Sequence, residues 1–89
     1  MPHVAFAPAL TRHVACAPQH VDAATLREAL AKAFEAAPAM RNYVLDEQGA
    51  VRKHVAVFVN ARMLTDRVNI DVPLQPGDKV MVIQALTGG

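Results

Sequence analysis

One cysteine, Cys16, is all the thiol this 89-residue chain contains, so no intramolecular disulfide can form. That suits a reducing compartment, and Cys16 reads as a small buried residue. Tryptophan is absent, and Tyr43 and three phenylalanines are the only aromatics. Much of the apolar fraction is alanine, so the core must come from Val, Leu, Ile and Phe. No stretch approaches the roughly 18 apolar residues of a membrane span. The N-terminus lacks the basic start and apolar run of a signal peptide, and Pro2 and Pro8 interrupt it. A cytoplasmic protein with no membrane partner is therefore expected. A strong excess of either charge is missing too. Nine Lys/Arg against eight Asp/Glu leave a formal net charge of +1, which argues against a nucleic-acid partner. The longest basic pair, Arg52-Lys53, reads as a solvated loop.

Catalytic constellations are equally scarce. His3, His13, His20 and His54 show no i, i+3 or i, i+4 helical pairing, so no metal site is expected. No base for Cys16 can be argued from the sequence. Asp46-Glu47 and Asp66/Asp71 read as loop charges rather than an acid–base pair. Gly49 and Gly77 serve turns, and no phosphate-cradling glycine pattern exists.

What the sequence does carry is Gly88-Gly89 at its end. Two residues without Cβ leave an unhindered carboxylate on a thin tail, which can be drawn through a narrow tunnel into another protein's site. With glycine at about 7% of residues, such a pair at one fixed position arises by chance in roughly one chain in two hundred. A frayed terminus is the competing explanation.

The chain is long enough for a single domain spanning 1–89, with 85–89 expected as a flexible tail. His3 to Ala7 alternates weakly and reads as a first strand, followed by a turn or loop from Pro8 to Arg12. Val14 to Val21 reads as a second strand, interrupted by Pro18, the two forming a hairpin. Thr25-Leu26-Arg27-Glu28 fits a capping box, and Leu26, Leu30, Ala33 and Phe34 form the apolar stripe of the main helix. Glu28 and Lys32 are spaced as an i, i+4 pair, and Pro38 ends the helix. Met40 to Leu45 is short and mixed and reads as a single turn, before the polar loop Asp46-Glu47-Gln48-Gly49. His54 to Val59 is the clearest strand, with Val55, Val57 and Val59 on one face. Asn60-Ala61 turns the chain into a short strand at Arg62-Met63-Leu64. Asp66 to Val72 is irregular, Pro73 to Asp78 is turn-rich, and a last strand runs from Lys79 to Leu86. One helix covers only one face of a five-stranded sheet. Phe58, Met81 and Ile83 are assigned to the other face, because Val57, Val59, Val80 and Val82 are needed inside.

Four features together resemble the ubiquitin-like β-grasp sulfur carriers. They are the helix capped at Thr25, Val57-Phe58-Val59-Asn60 before a tight turn, Leu74-Gln75-Pro76-Gly77-Asp78-Lys79-Val80, and terminal Thr87-Gly88-Gly89. That family includes the small subunit of molybdopterin synthase, the thiamin-pathway carrier and a cysteine-synthesis carrier. The resemblance implies an α+β fold, a mixed four- to five-stranded sheet with one main helix on one face. It implies a carrier rather than an enzyme, with no bound cofactor. An E1-like adenylyltransferase would use Mg-ATP to adenylate the Gly89 carboxylate. A persulfide or sulfide donor would then convert it to a thiocarboxylate, for use by a downstream sulfur-accepting synthase. Thr87 and Gly88 would thread the tail, and Phe58, Met81, Ile83 and Leu86 would form the partner-binding face. Two departures stand out. Gln84-Ala85 occupies the place of the Pro-Pro pair of molybdopterin-type carriers, and the Met40 to Lys53 segment is long. A modifier joined to target lysines and a passive interaction module stay open as alternatives, although the tail has no arginine and the chain only three lysines.

Overall fold

The computed structural model describes residues 1–84; 85–89, the expected tail, lie outside the described residues. Alternation dictates the sheet. Val80 and Val82 of strand β5 (Lys79–Gln84) are buried while Met81 is exposed, and β5 is the central strand of a five-stranded sheet. Strand β1 (His3–Phe6) runs parallel to β5 on one side, and β3 (Val55–Val59) pairs antiparallel on the other. The two borders are short: β2 (Gln19–His20) beside β1, and β4 (Arg62–Met63) beside β3.

Helix α2 (Leu26–Ala36) starts as its sequence requires. The Thr25 hydroxyl accepts the Glu28 amide at 3.2 Å, satisfying one orphan donor of the first turn. Glu28 reaches back to the Thr25 hydroxyl rather than to its amide. The amides of Leu26 and Arg27 donate to the carbonyls of Val72 and Ile70, so the irregular segment before β5 holds the helix end. Leu26, Ala29, Leu30, Ala33 and Phe34 face the sheet, where they meet Val4, Phe6, Val55, Val57, Val80 and Val82 in one core. The Phe6 and Phe34 rings lie 6.0 Å apart, within the range of favourable aromatic contact.

Several local expectations change. Pro8 to Arg12 is not a loop: helix α1 (Pro8–Thr11) begins with proline at its first turn, where the missing N–H costs nothing, and buries Leu10. The second strand contracts to β2, because Pro18 has no N–H for a ladder. β1 and β2 pair antiparallel as the expected hairpin, and the connection between them contains α1. Met40 lies within a seven-residue helix, α3 (Pro38–Val44), which buries Met40 and Val44. Pro38 ends α2 and starts α3, for the same reason that serves α1. The strand beginning at His54 begins one residue later, and the last strand is described as far as Gln84. Lys32 donates to the Asp22 carbonyl rather than pairing with Glu28, and the ion pair among the described residues is Arg27–Asp71 at 2.9 Å.

Candidate functional site

The candidate site is the sheet face turned away from α2, together with the end of β5. Cross-strand register places Ala5 opposite Met81, Met81 opposite Phe58, and Phe58 opposite Met63. One apolar row therefore crosses four strands. Met81 is 42% exposed and Met63 56%, whereas Phe58, between them in the row, is half-buried. Ile83, also half-buried, lies one row further along β5, opposite Ala56. The structure thus brings Phe58 and Met81 side by side with Ile83 next along. Leu86, Thr87, Gly88 and Gly89 lie outside the described residues. Met63 escaped the sequence assignment, yet a signal existed: a two-residue turn at Asn60-Ala61 pairs Val59 with Arg62 and so Phe58 with Met63.

At the start of β5 a polar clasp fixes the strand. Asp78 accepts from the Gln75 amide and from the Asn60 side chain, both at 2.8 Å. These bonds, the Gln75 amide first, hold its carboxyl below the usual range. The Asn60 carbonyl oxygen of the side chain accepts the Lys79 amide at 2.9 Å, and the Asn60 amide donates to the Lys79 carbonyl at 2.8 Å. Gly77, at φ +88°, supplies the turn. His3 sits between His20 and Lys79 in the ladder, its ring 4.9 Å from that of His20.

At the other end, Gln84 pairs with Val55. Arg52, Lys53 and His54 precede β3 and flank that point, lining with Asp46 and Val51 a shallow hollow of about 330 Å³. Arg52 is anchored by donation to the Asn42 carbonyl at 2.7 Å, while Lys53 and His54 are exposed.

Chemically reactive side chains are sparse here. Cys16 is buried, and desolvation pushes its thiol up although the Gln19 amide opposes this. Among the described residues no three His, Cys, Asp or Glu side chains cluster to hold a metal. Asp46 and Asp66 accept nearby backbone amides, and Asp71 pairs with Arg27. No described helix is long and apolar enough to cross a membrane.

Comparison with known proteins agrees with this architecture. Among solved structures, the chain is similar to SAMP1 from Haloferax volcanii, with TM-score 0.80, 21% identity, and coverage of 99% of this chain and 98% of that one. A chain of the Amycolatopsis orientalis BexX/CysO complex gives TM-score 0.80 at 16% identity, covering both chains fully at 100%. Urm1 from Sulfolobus solfataricus gives 0.70 at 18% identity, covering 93% of this chain and 99% of that one. These likenesses show the ubiquitin-like β-grasp fold. Comparison with curated protein sequences finds no significant match. The model of the ThiS family matches residues 9–89, nearly the whole chain. The chain belongs to the ThiS family, among the ubiquitin-like β-grasp sulfur carriers and modifiers.

Proposed function

We propose that the protein carries sulfur on the α-carboxylate of Gly89. One observation carries this reading: the family match runs through Gly89, in the sequence that follows the central strand β5. The chemistry explains the partners. A carboxylate is a poor electrophile, so an E1-like adenylyltransferase with Mg-ATP converts it to an acyl-adenylate and releases pyrophosphate. Attack by sulfide displaces AMP and leaves a thiocarboxylate. A persulfide donor gives an acyl disulfide first, and a thiol then reduces it. The sulfur passes to a synthase of the molybdopterin, thiamin or cysteine type. The protein is a co-substrate in this scheme, and ATP and magnesium belong to the activating enzyme.

Phe58, Met81, Ile83 and Leu86 form the docking face in this reading, and Thr87 and Gly88 thread the tail. At about 3.3 Å per residue, the segment from Gln84 to Gly89 can span about 20 Å, enough to reach a buried site. Similarity to a chain of the BexX/CysO complex supports a carrier that works against a partner protein. The test is intact mass after incubation with an activating enzyme, Mg-ATP and a sulfur donor. A gain equal to exchanging one oxygen for sulfur is expected, and deletion of Gly89 abolishes it; a gain that survives the deletion overturns the reading.

Similarity to a Haloferax volcanii protein named small archaeal modifier protein 1, at TM-score 0.74, favours a second reading, conjugation to target lysines. Blots of tagged protein from cells decide it. A ladder lost with Gly89 supports conjugation, and free protein alone counts against it.

A further inference from the structure

Two histidines that no helical spacing joins are brought together by the ladder. His3 of β1 stands directly opposite His20 of β2. The Val21 amide donates to the Pro2 carbonyl at 2.9 Å, while the His3 amide turns the other way, to the Asp78 carbonyl at 2.8 Å. His3 and His20 are therefore a non-hydrogen-bonded pair of the antiparallel ladder, the spacing at which opposed side chains come closest. Their ring centroids lie 4.9 Å apart, with the ring planes tilted by 55°. His20 is exposed and His3 half-buried, so solvent reaches the pair. The hydrogen bonds beside it run among Asn60, Gln75, Asp78 and Lys79 and engage neither imidazole.

We propose that His3 and His20 chelate one divalent transition-metal cation, copper(II) in preference to nickel(II) or zinc(II), as a clip between β1 and β2. Bond lengths support this. With metal–nitrogen bonds of about 2.0 Å and a centroid about 1.1 Å behind each nitrogen, two imidazoles in adjacent positions on one metal hold their centroids about 4.5–5.1 Å apart. The observed 4.9 Å falls within that range. Rotation about χ2 leaves each centroid nearly in place, because the axis passes close to it, and that torsion is broad for histidine. A nitrogen of each ring can thus be turned to one point without moving the backbone. Imidazole is the donor that copper, nickel and zinc share, and copper(II) heads the affinity order. Magnesium and calcium call for oxygen donors instead. Two nitrogens are fewer than a closed structural site supplies, so water fills the other positions and the metal stays exchangeable. Nearby fixed charges oppose one another: Lys79 is the ladder neighbour on the other side of His3, and Asp78 precedes it in the chain. The imidazoles therefore decide. Because β2 is only two residues long, a chelate tying it to β1 favours the folded edge and stabilises the protein by mass action.

The site is independent of Gly89 and of the carrier reading. Calorimetric titration of the full-length protein with each metal salt alone tests it, together with electron spin resonance of the copper complex. One copper(II) per chain is expected, with nickel(II) and zinc(II) weaker and magnesium giving no heat of binding. The copper spectrum should carry the coupling of two imidazole nitrogens. Loss of an outer partner already costs a metal site about 10–100-fold in affinity, so loss of a ligand costs at least about tenfold. His3→Ala and His20→Ala should each weaken copper binding by that factor. His20→Gln, which keeps a polar side chain in β2, should weaken it as much, guarding against a folding defect. His13→Ala and His54→Ala should leave it unchanged. Saturating copper should raise the denaturation midpoint of the wild type and not that of His20→Gln. Absence of saturable copper binding overturns the site. So does binding of wild-type strength in the double variant His3→Ala, His20→Ala, which would put the metal elsewhere.

Discussion

Ala61 holds φ at 70°, beside Asn60 at 50°, to make the two-residue turn between β3 and β4. A left-handed alanine costs about 1–2 kcal/mol, whereas glycine there costs about 0.5–1 kcal/mol in unfolded-chain entropy. The strain is larger, so Ala61→Gly should stabilise the protein by about 0.5–1 kcal/mol, read by chemical denaturation. Asn60 must stay, because its side chain joins Asp78 and the Lys79 amide. Asp78 titrates lower when folded than the ordinary value of about 3.9. Its contribution is thus present above that value and lost as pH falls through the lower folded pKa. The melting difference between wild type and Asp78→Asn should be full at neutral pH and close in strong acid. Turn residues at both places were legible in the sequence. Their union was not, since Asn60 and Asp78 lie 18 positions apart and no local pattern links them.

Among the elements, α2 was readable because three signals agreed: a cap at Thr25, apolar spacing of 3.6, and a proline stop at Pro38. Thr25→Ala should cost about 1 kcal/mol, measured as a lower denaturation midpoint. The loss stays moderate because Val72 and Ile70 carbonyls still hold the next two amides. Helices α1 and α3 escaped for the opposite reason. Each is too short to show a period, and a proline at its start marks a break as readily as a beginning. β2 was overdrawn because Val14 and Cys16 alternate like a strand, yet Cys16 is buried in an irregular segment, with the Gln19 amide 3.7 Å from its sulfur. In the candidate site, alternation along β3 and β5 revealed Phe58, Met81 and Ile83. Met63 needed the ladder register, which sets it opposite Phe58 across the β3–β4 turn.

At the scale of the molecule, the parallel pairing of β1 with β5 brings the two ends of the fold together at the centre of the sheet. No periodicity specifies such a partnership; here the resemblance supplied the fold class and the structure its register. Val82 is fully buried at this junction, facing Phe6 on one side and Val57 on the other. Val82→Ala removes two methyl groups and leaves a cavity, for a loss of about 2–3 kcal/mol in denaturation. The borders of the same sheet have a different consequence. Each edge strand is two residues long, Pro18 cannot extend β2, and the outward carbonyls of Val55 and Val57 are already taken by Arg67 and Leu64. A foreign strand therefore finds almost no free ladder on which to zip, which protects the protein from edge-to-edge aggregation. In the carrier reading proposed above, recognition falls to side chains on the face, so a few surface substitutions would redirect the protein to a new client while the backbone frame stays unchanged.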